Sequence, residues 1–252
     1  MKIIHLSDLH IGGRSRLTKM SMLKNARKVF NKICNEQQPA SDYVVVITGD
    51  LVDNAFKSKK YKNAIDALKI LQDYKVLIIP GNHDYGDGTV DDEKFVALFD
   101  QTFGNTNTPP YPTRHIIGGV AFWGLNSMAE KVDMDTCEGK LGEPQINLLE
   151  NYIENDPAVK RCKKVLYLHH HPFPFPKFKG LQDTKKLERV IKGKVDALLF
   201  GHNHVQIEPC GLWSIPIWSN PGSSTHIEDY LPAGYRVFDL QDGYNEMVEC
   251  IF

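Results

Sequence analysis

Five short polar clusters each follow directly on an apolar run: Ser7-Asp8-Leu9-His10, Gly49-Asp50, Gly81-Asn82-His83-Asp84, His169-His170-His171 and Gly201-His202-Asn203-His204. Their side chains are carboxylates, imidazoles and an amide, with no thiolate among them. That donor set suits Mn²⁺, Fe²⁺/Fe³⁺, Zn²⁺ or Co²⁺. Asp-x-His and His-x-His place two ligands on one short stretch or turn, and the neighbouring glycines Gly49, Gly81 and Gly201 permit tight turns and close backbone approach. Each piece alone is weak, because an isolated histidine is more often a hydrogen-bonded bystander than a ligand. Five in this order, each at the end of an apolar run, make a specific pattern.

The elements that must position these clusters are legible in the periodicity. Lys2–Leu6, Tyr43–Ile47, Val76–Ile79, Val165–Leu168 and Val195–Phe200 read as buried strands, and Arg114–Ile117 with Val120–Leu125 as a hairpin. Met22, Leu23, Ala26, Val29, Phe30 and Ile33 recur at helical spacing. So do Tyr61, Ala64, Ile65, Leu68 and Leu71, and further helices are predicted around Phe95–Phe99, after Gly142, and around Leu187–Ile191. After His204 the chain reads as all-β, closed by Tyr235–Leu240 and Tyr244–Phe252. The order predicts a layered α/β protein with two packed sheets and helices outside, in which loops beyond the carboxyl ends of the strands bring the five clusters into one pocket. The proline-broken aromatic loop Pro172–Lys179 is expected either to wall that pocket or to be pinned to the body.

A chain of 252 residues with 42% hydrophobic and 24% charged residues supports a substantial core, and no linker interrupts the pattern. The expectation is one domain over residues 1–252. The formal net charge of -1 supplies no field favouring nucleic acid. Lys57, Lys59, Lys60 and Lys62 read as a solvated helix face. Five widely spaced cysteines without a C-x-x-C pair indicate neither a disulfide framework nor a thiolate metal site. No stretch is long and apolar enough to span a membrane and no leader pattern precedes the first strand, so the expected compartment is the cytoplasm.

With these residues in place, the sequence resembles the calcineurin-like metallophosphoesterase superfamily, whose motif series is D-x-H, G-D, G-N-H-[D/E], H and G-H-x-H. The resemblance runs from Asp8 to His204. It implies an α/β/β/α architecture, a two-sheet β-sandwich flanked by helices, with two divalent or trivalent ions (Mn, Fe or Zn) at one edge. Carried over, Asp8, His10 and His204 hold one ion, Asp50 bridges, and Asn82, His170 and His202 hold the other. His170 is chosen because family members place this ligand two residues before a proline, here Pro172; His169 is the alternative. The implied reaction is hydrolysis of a phosphate ester by in-line attack of a metal-bridging hydroxide. His83 is expected to bind the phosphate or protonate the leaving oxygen, and Asp84 either to orient His83 or to cap the loop. Asn220-Pro221-Gly222-Ser223 is either a rim loop or an ordinary turn.

Within the superfamily, Asn54 and Asp84 depart from the protein phosphatase pattern, Asp53 from the purple acid phosphatases, and His83 from the lipid A pathway pyrophosphatases. G-D-L-V-D (Gly49–Asp53), P-G-N-H-D (Pro80–Asp84) and H-H-P (His170–Pro172) are most similar to bacterial class III cyclic-nucleotide phosphodiesterases, which implies a small phosphodiester substrate. One rival is a nuclease of the Mre11/SbcD kind, disfavoured by the neutral charge and short chain. The other is a catalytically silent scaffold as in the retromer, disfavoured because every expected ligand is present.

Overall fold

The computed structural model describes residues 1–14, 19–88, 92–103, 111–128, 137–173, 180–206, 211–226, 232–241 and 245–252. Period-two patterning decides its layers. In β1 (Lys2–Leu6) and β2 (Tyr43–Ile47), Ile4, Leu6, Tyr43, Val45 and Ile47 turn one way, and Ile3, Val44 and Val46 turn the other. The first set packs under α1 (Met22–Glu36) and α2 (Ser58–Leu68), the second against a facing sheet. Burial on both faces explains why these strands are almost continuously apolar.

The first sheet has the order β10-β9-β1-β2-β3, with β3 at Lys75–Ile78, β9 at Ala233–Asp239 and β10 at Asn245–Cys250. β1, β2 and β3 run parallel, while β9 joins β1, and β10 joins β9, antiparallel. The second sheet has the order β4-β5-β6-β7-β8: Thr113–Ile117, Val120–Gly124, Lys163–Tyr167, Ala197–Leu199 and Ile217–Ser219. The β4–β5 hairpin is antiparallel and the rest are parallel. Helices α4 (Glu143–Asn155) and α5 (Thr184–Ile191) cover its outer face through Ile146, Leu149, Leu187, Val190 and Ile191. Between the sheets lies a third core that includes Phe122, Val165, Tyr167, Leu199 and Phe238. The α/β/β/α sandwich expected from the sequence is the fold observed.

Several details differ from the expectation. Helix α3 spans Glu93–Phe103, longer than the short segment predicted, because Phe103 continues the ring stack of Phe99. After His204 the chain is not all-β: a helical turn covers Leu212–Ser214 before the three-residue β8. Phe173 is pinned to the body by Phe200 and Trp218, at ring-centroid distances of 5.5 and 5.7 Å. The remainder of the Pro172–Lys179 loop, residues 174–179, lies outside the described residues.

Candidate metal centre

The parallel strands β1, β2, β3, β6 and β7 all deliver their following loops to one edge of the sandwich. Close approach there depends on missing side chains. Gly49, at φ +92°, brings its turn so near the next that a Cβ would sit 2.6 Å from Gly81 N and 2.7 Å from His169 Nδ1. A Cβ on Gly201 would overlap Ser7 Oγ and Asp8 Oδ2. Asp8, His10, Asp50, His202 and His204 all adopt left-handed backbone, with φ of 53°, 44°, 52°, 73° and 53°. For residues with a Cβ this costs on the order of 1–2 kcal/mol each, so the surroundings must enforce it. Asp8 N and His10 N donate to Gly49 O (3.2 Å) and Asp50 O (2.9 Å), and His202 N donates to the Asp8 carboxylate.

Seven side chains named from the sequence meet here, His169 among them as the stated alternative. His10 Nε2 lies 3.0 Å from His204 Nε2, and His204 Nε2 lies 3.3 Å from Asp8 Oδ1. On the other side, His169 Nε2 lies 3.1 Å from Asn82 Oδ1 and 3.3 Å from His202 Nδ1. Asp50 Oδ2 stands between the two groups, 3.7 Å from His10 Nε2 and 3.4 Å from His169 Nε2. Asp8–His10–His204, His10–Asp50–His83 and Asp8–Asp50–His169 each have donor atoms within 4.8 Å of one another.

The histidine brought to the second group is His169, not the expected His170. Strand parity gives the reason. His169 continues the face of Val165 and Tyr167, toward the inter-sheet space where Thr48 O takes its Nδ1–H at 2.7 Å. His170 continues the opposite face of Leu166 and Leu168, where its Nδ1 pairs with Ser127 Oγ at 2.7 Å. Its ring packs 4.3 Å from that of His202.

Of the two roles expected for Asp84, orienting His83 or capping the loop, its hydrogen bonds are those of the cap. Its carboxylate accepts from Leu51 N (3.1 Å), Val52 N (3.1 Å) and Gly81 N (3.0 Å), so it clamps the two ligand-bearing turns together. Burial, with the nearby charge of Asp50, pushes it up to about 7 against those three bonds. His83 is oriented instead by Asp53, whose carbonyl lies 2.9 Å from Nδ1. A carbonyl only accepts, so Nδ1 carries the hydrogen.

Sequence reasoning left open the segment after β8, which is more than an ordinary turn. Ser223 Oγ donates to Asp8 O and Thr225 Oγ1 to Leu9 O, both at 2.8 Å, and Ser224 Oγ accepts from Ser7 N. Asn220 Nδ2 donates to Asn203 Oδ1 at 2.7 Å. His226, which the sequence reading did not single out, pairs with Ser223 Oγ at 2.7 Å, its ring 5.3 Å from that of His204. The available signal was a sixth polar run, Ser219–His226.

The electrostatics are those of a cation site. Burial opposes ionisation of Asp8, but the His204 ring and then His169 outweigh it and hold the carboxyl well below its usual range. Asp50 is held down in the same way, chiefly by His169 and His83 against burial. Burial drives His10 and His202 down to about 3. His169 is buried too, yet Asp50 and Asp8 raise it to about 9. Imidazoles packed nitrogen to nitrogen around two carboxylates, with His10 and His202 neutral, fit a metal: adjacent ligands at roughly 2.0–2.2 Å from one ion lie about 3–3.5 Å apart, the spacing observed here. No thiolate joins these groups among the described residues, which agrees with an oxygen- and nitrogen-binding ion.

Residues 1–206 match the family model described as calcineurin-like phosphoesterase, a span that includes the five clusters from Asp8 to His204. The chain belongs to the calcineurin-like phosphoesterase family. Relatives of this calcineurin-like phosphoesterase include a probable cyclic nucleotide phosphodiesterase of Coxiella burnetii, 27% identical over 212 residues, covering 81% of this chain and 76% of that one. A second, from Vesicomyosocius okutanii subsp. Calyptogena okutanii, carries the same description without the locus and is 26% identical over 253 residues, covering 95% and 94%. The fold is shared with a dimetal phosphatase from Danio rerio, with a TM-score of 0.68 and 12% identity over 99% of this chain and 98% of that one. No helix among the described residues is long and apolar enough to cross a membrane.

Proposed function

We propose that this phosphoesterase holds two metal ions and hydrolyses a small phosphodiester, with a cyclic nucleotide as the leading candidate. The observation that carries the reading is Asp50 Oδ2, set between two groups of donors at 3.7 and 3.4 Å. Asp8, His10 and His204 form one ligand set, and Asn82, His169 and His202 the other, with His169 in the role expected of His170. When bound, the ions supply Lewis acidity at the phosphoryl group and acidify water. Mn, Fe or Zn suits the donors.

The remaining work falls to the chain itself. The Asp53 carbonyl fixes the His83 ring by its Nδ1–H, so that Nε2 is the atom offered to substrate. His83 is half-buried, and its ring stands edge-on to His10 with centroids 4.9 Å apart. With Nε2 protonated as well, the imidazolium in that position donates to a phosphoryl oxygen or delivers the Nε2 proton to the departing one. Asp84 and the Ser223–Thr225 hydroxyls hold the loops that carry the ligands. The diester preference is supported by the two relatives described as probable cyclic nucleotide phosphodiesterases.

The test pairs metal analysis of the Mn²⁺-saturated protein with rates on bis(p-nitrophenyl) phosphate and p-nitrophenyl phosphate. Two ions per chain and faster diester hydrolysis are expected. A single ion with full activity defeats the two-metal reading, and a large monoester preference defeats the diester one.

A further inference from the structure

His5 has no part in the proposed chemistry, yet it is a fully buried titratable group in the middle of β1. Alternation along β1 places it with Ile3 on the face between the sheets, at the end of that core nearest the metal centre. There both ring nitrogens have partners on different elements. Nδ1 lies 2.7 Å from Ser219 Oγ, on β8 of the facing sheet, and Nε2 lies 2.9 Å from Thr48 Oγ1, at the end of β2. Burial, and secondarily the charge of Arg236, push His5 down to about 3, so the ring is neutral. A neutral imidazole has one N–H and one lone pair, so one hydroxyl accepts from it and the other donates to it. An apolar side chain of similar size would take this partner from the Ser219 hydroxyl and leave Thr48 Oγ1 with its long 3.4 Å bond to Leu6 O.

The two partners are the roots of two segments that build the centre. Thr48 immediately precedes Gly49-Asp50, and its backbone carbonyl takes the His169 Nδ1–H. Ser219 immediately precedes the Asn220–Thr225 segment, whose hydroxyls hold the carbonyls of Asp8 and Leu9. We infer that His5 is a positioning residue that, through Thr48 and Ser219, locks the two sheets in register beneath the metal centre and so fixes the His169 ring and the Asp8 loop. It touches neither ligands nor substrate.

The inference rests on the ligand set proposed above, and the test separates the two. Full-length wild type, His5→Leu and His5→Gln are compared in metal-free form by NMR of imidazole N–H protons, and then by calorimetric titration with Mn²⁺. The His169 Nδ1–H resonance is assigned by its loss in His169→Gln. It is expected in wild type and in His5→Gln, whose amide retains a donor and an acceptor, and expected to be lost or shifted in His5→Leu. Mn²⁺ affinity should fall by about 10–100-fold in His5→Leu and largely return in His5→Gln, the range typical of groups that orient a metal ligand. Should His5→Leu fail to fold, Ser219→Ala removes one of the same bonds and should shift the same resonance. Failure of wild type to bind Mn²⁺ counts against the ligand set, while the metal-free resonance still decides the role of His5. An unchanged resonance in His5→Leu, or equal damage in the Leu and Gln variants, overturns the inference in favour of plain core packing.

Discussion

The two donor groups on either side of Asp50 are built by different means. In the first, Asp8, His10 and His204 all have left-handed backbone. Their aim is set by the main chain, through the Asp8 and His10 N–H groups bonded across to Gly49 and Asp50. In the second, His202 is left-handed as well, at φ 73°, but Asn82 and His169 have ordinary backbone and are aimed by side-chain hydrogen bonds. Asn82 Nδ2 donates to Gly88 O at 3.0 Å, and His169 Nδ1 donates to Thr48 O at 2.7 Å. The groups also differ in charge, since the first has the carboxylate of Asp8 where the second has the neutral amide of Asn82. A site built by strained turns resists change in its side-chain neighbours; one built by side-chain bonds depends on each partner.

The largest effect is expected where the two groups share a residue. Asp50→Ala should lose both ions and slow turnover by about 10³-fold or more, since it removes the charge that serves both. Metal content after dialysis, measured beside the rate, checks this; wild-type occupancy in the variant would mean that the groups do not share Asp50. His83 belongs to neither ligand set, so His83→Ala should keep both ions while turnover drops by roughly 10²–10⁴-fold. The drop should be larger for an alkyl leaving group than for p-nitrophenolate, which needs no proton. Equal losses on both substrates would assign His83 to phosphate binding alone.

Smaller effects sharpen the contrast between the groups. His169→Ala should lose one ion of two and about 10²-fold in turnover, whereas His170→Ala should keep both ions. The reverse pattern would restore the assignment drawn from the sequence register. Smallest of all is a difference in affinity. Stepwise titration with Mn²⁺ should show the Asp8 group filling first, by roughly tenfold or about 1.4 kcal/mol, because an anionic ligand outbinds an amide. Asp8→Asn should merge the two steps, and two well-separated steps in that variant would show that charge is not what distinguishes the groups.

Much of this was legible in the sequence, for physical reasons that also explain the rest. Strands such as Tyr43–Ile47 announce themselves because both faces are buried, and the clusters at their ends stand out as polar residues where an apolar run stops. β8 was not legible, since Ile217–Ser219 is too short for any period to show. The choice of His170 came from counting back from Pro172. The period of two along Val165, Tyr167 and His169 was the stronger signal, because a strand fixes which way a side chain points and a proline two residues away does not. Asp84 was placed by its adjacency to His83, but three backbone N–H groups compete for its oxygens and fix its direction. The bonds from Ser223 and Thr225 to Asp8 and Leu9 join residues more than two hundred positions apart, and no local pattern reports them.

Those distant bonds have a consequence for the order of events during synthesis. The Asp8 loop is the first ligand-bearing segment to leave the ribosome, but the hydroxyls that hold its carbonyls come from the last fifth of the chain. β9, the antiparallel neighbour of β1, follows later still. Until that stretch emerges, Asp8 and His10 lack the contacts that enforce their backbone, and the nascent chain offers metals only a loose, incomplete chelate. The Asp8 side of the proposed centre therefore completes late, after the geometry that would select among cations can form.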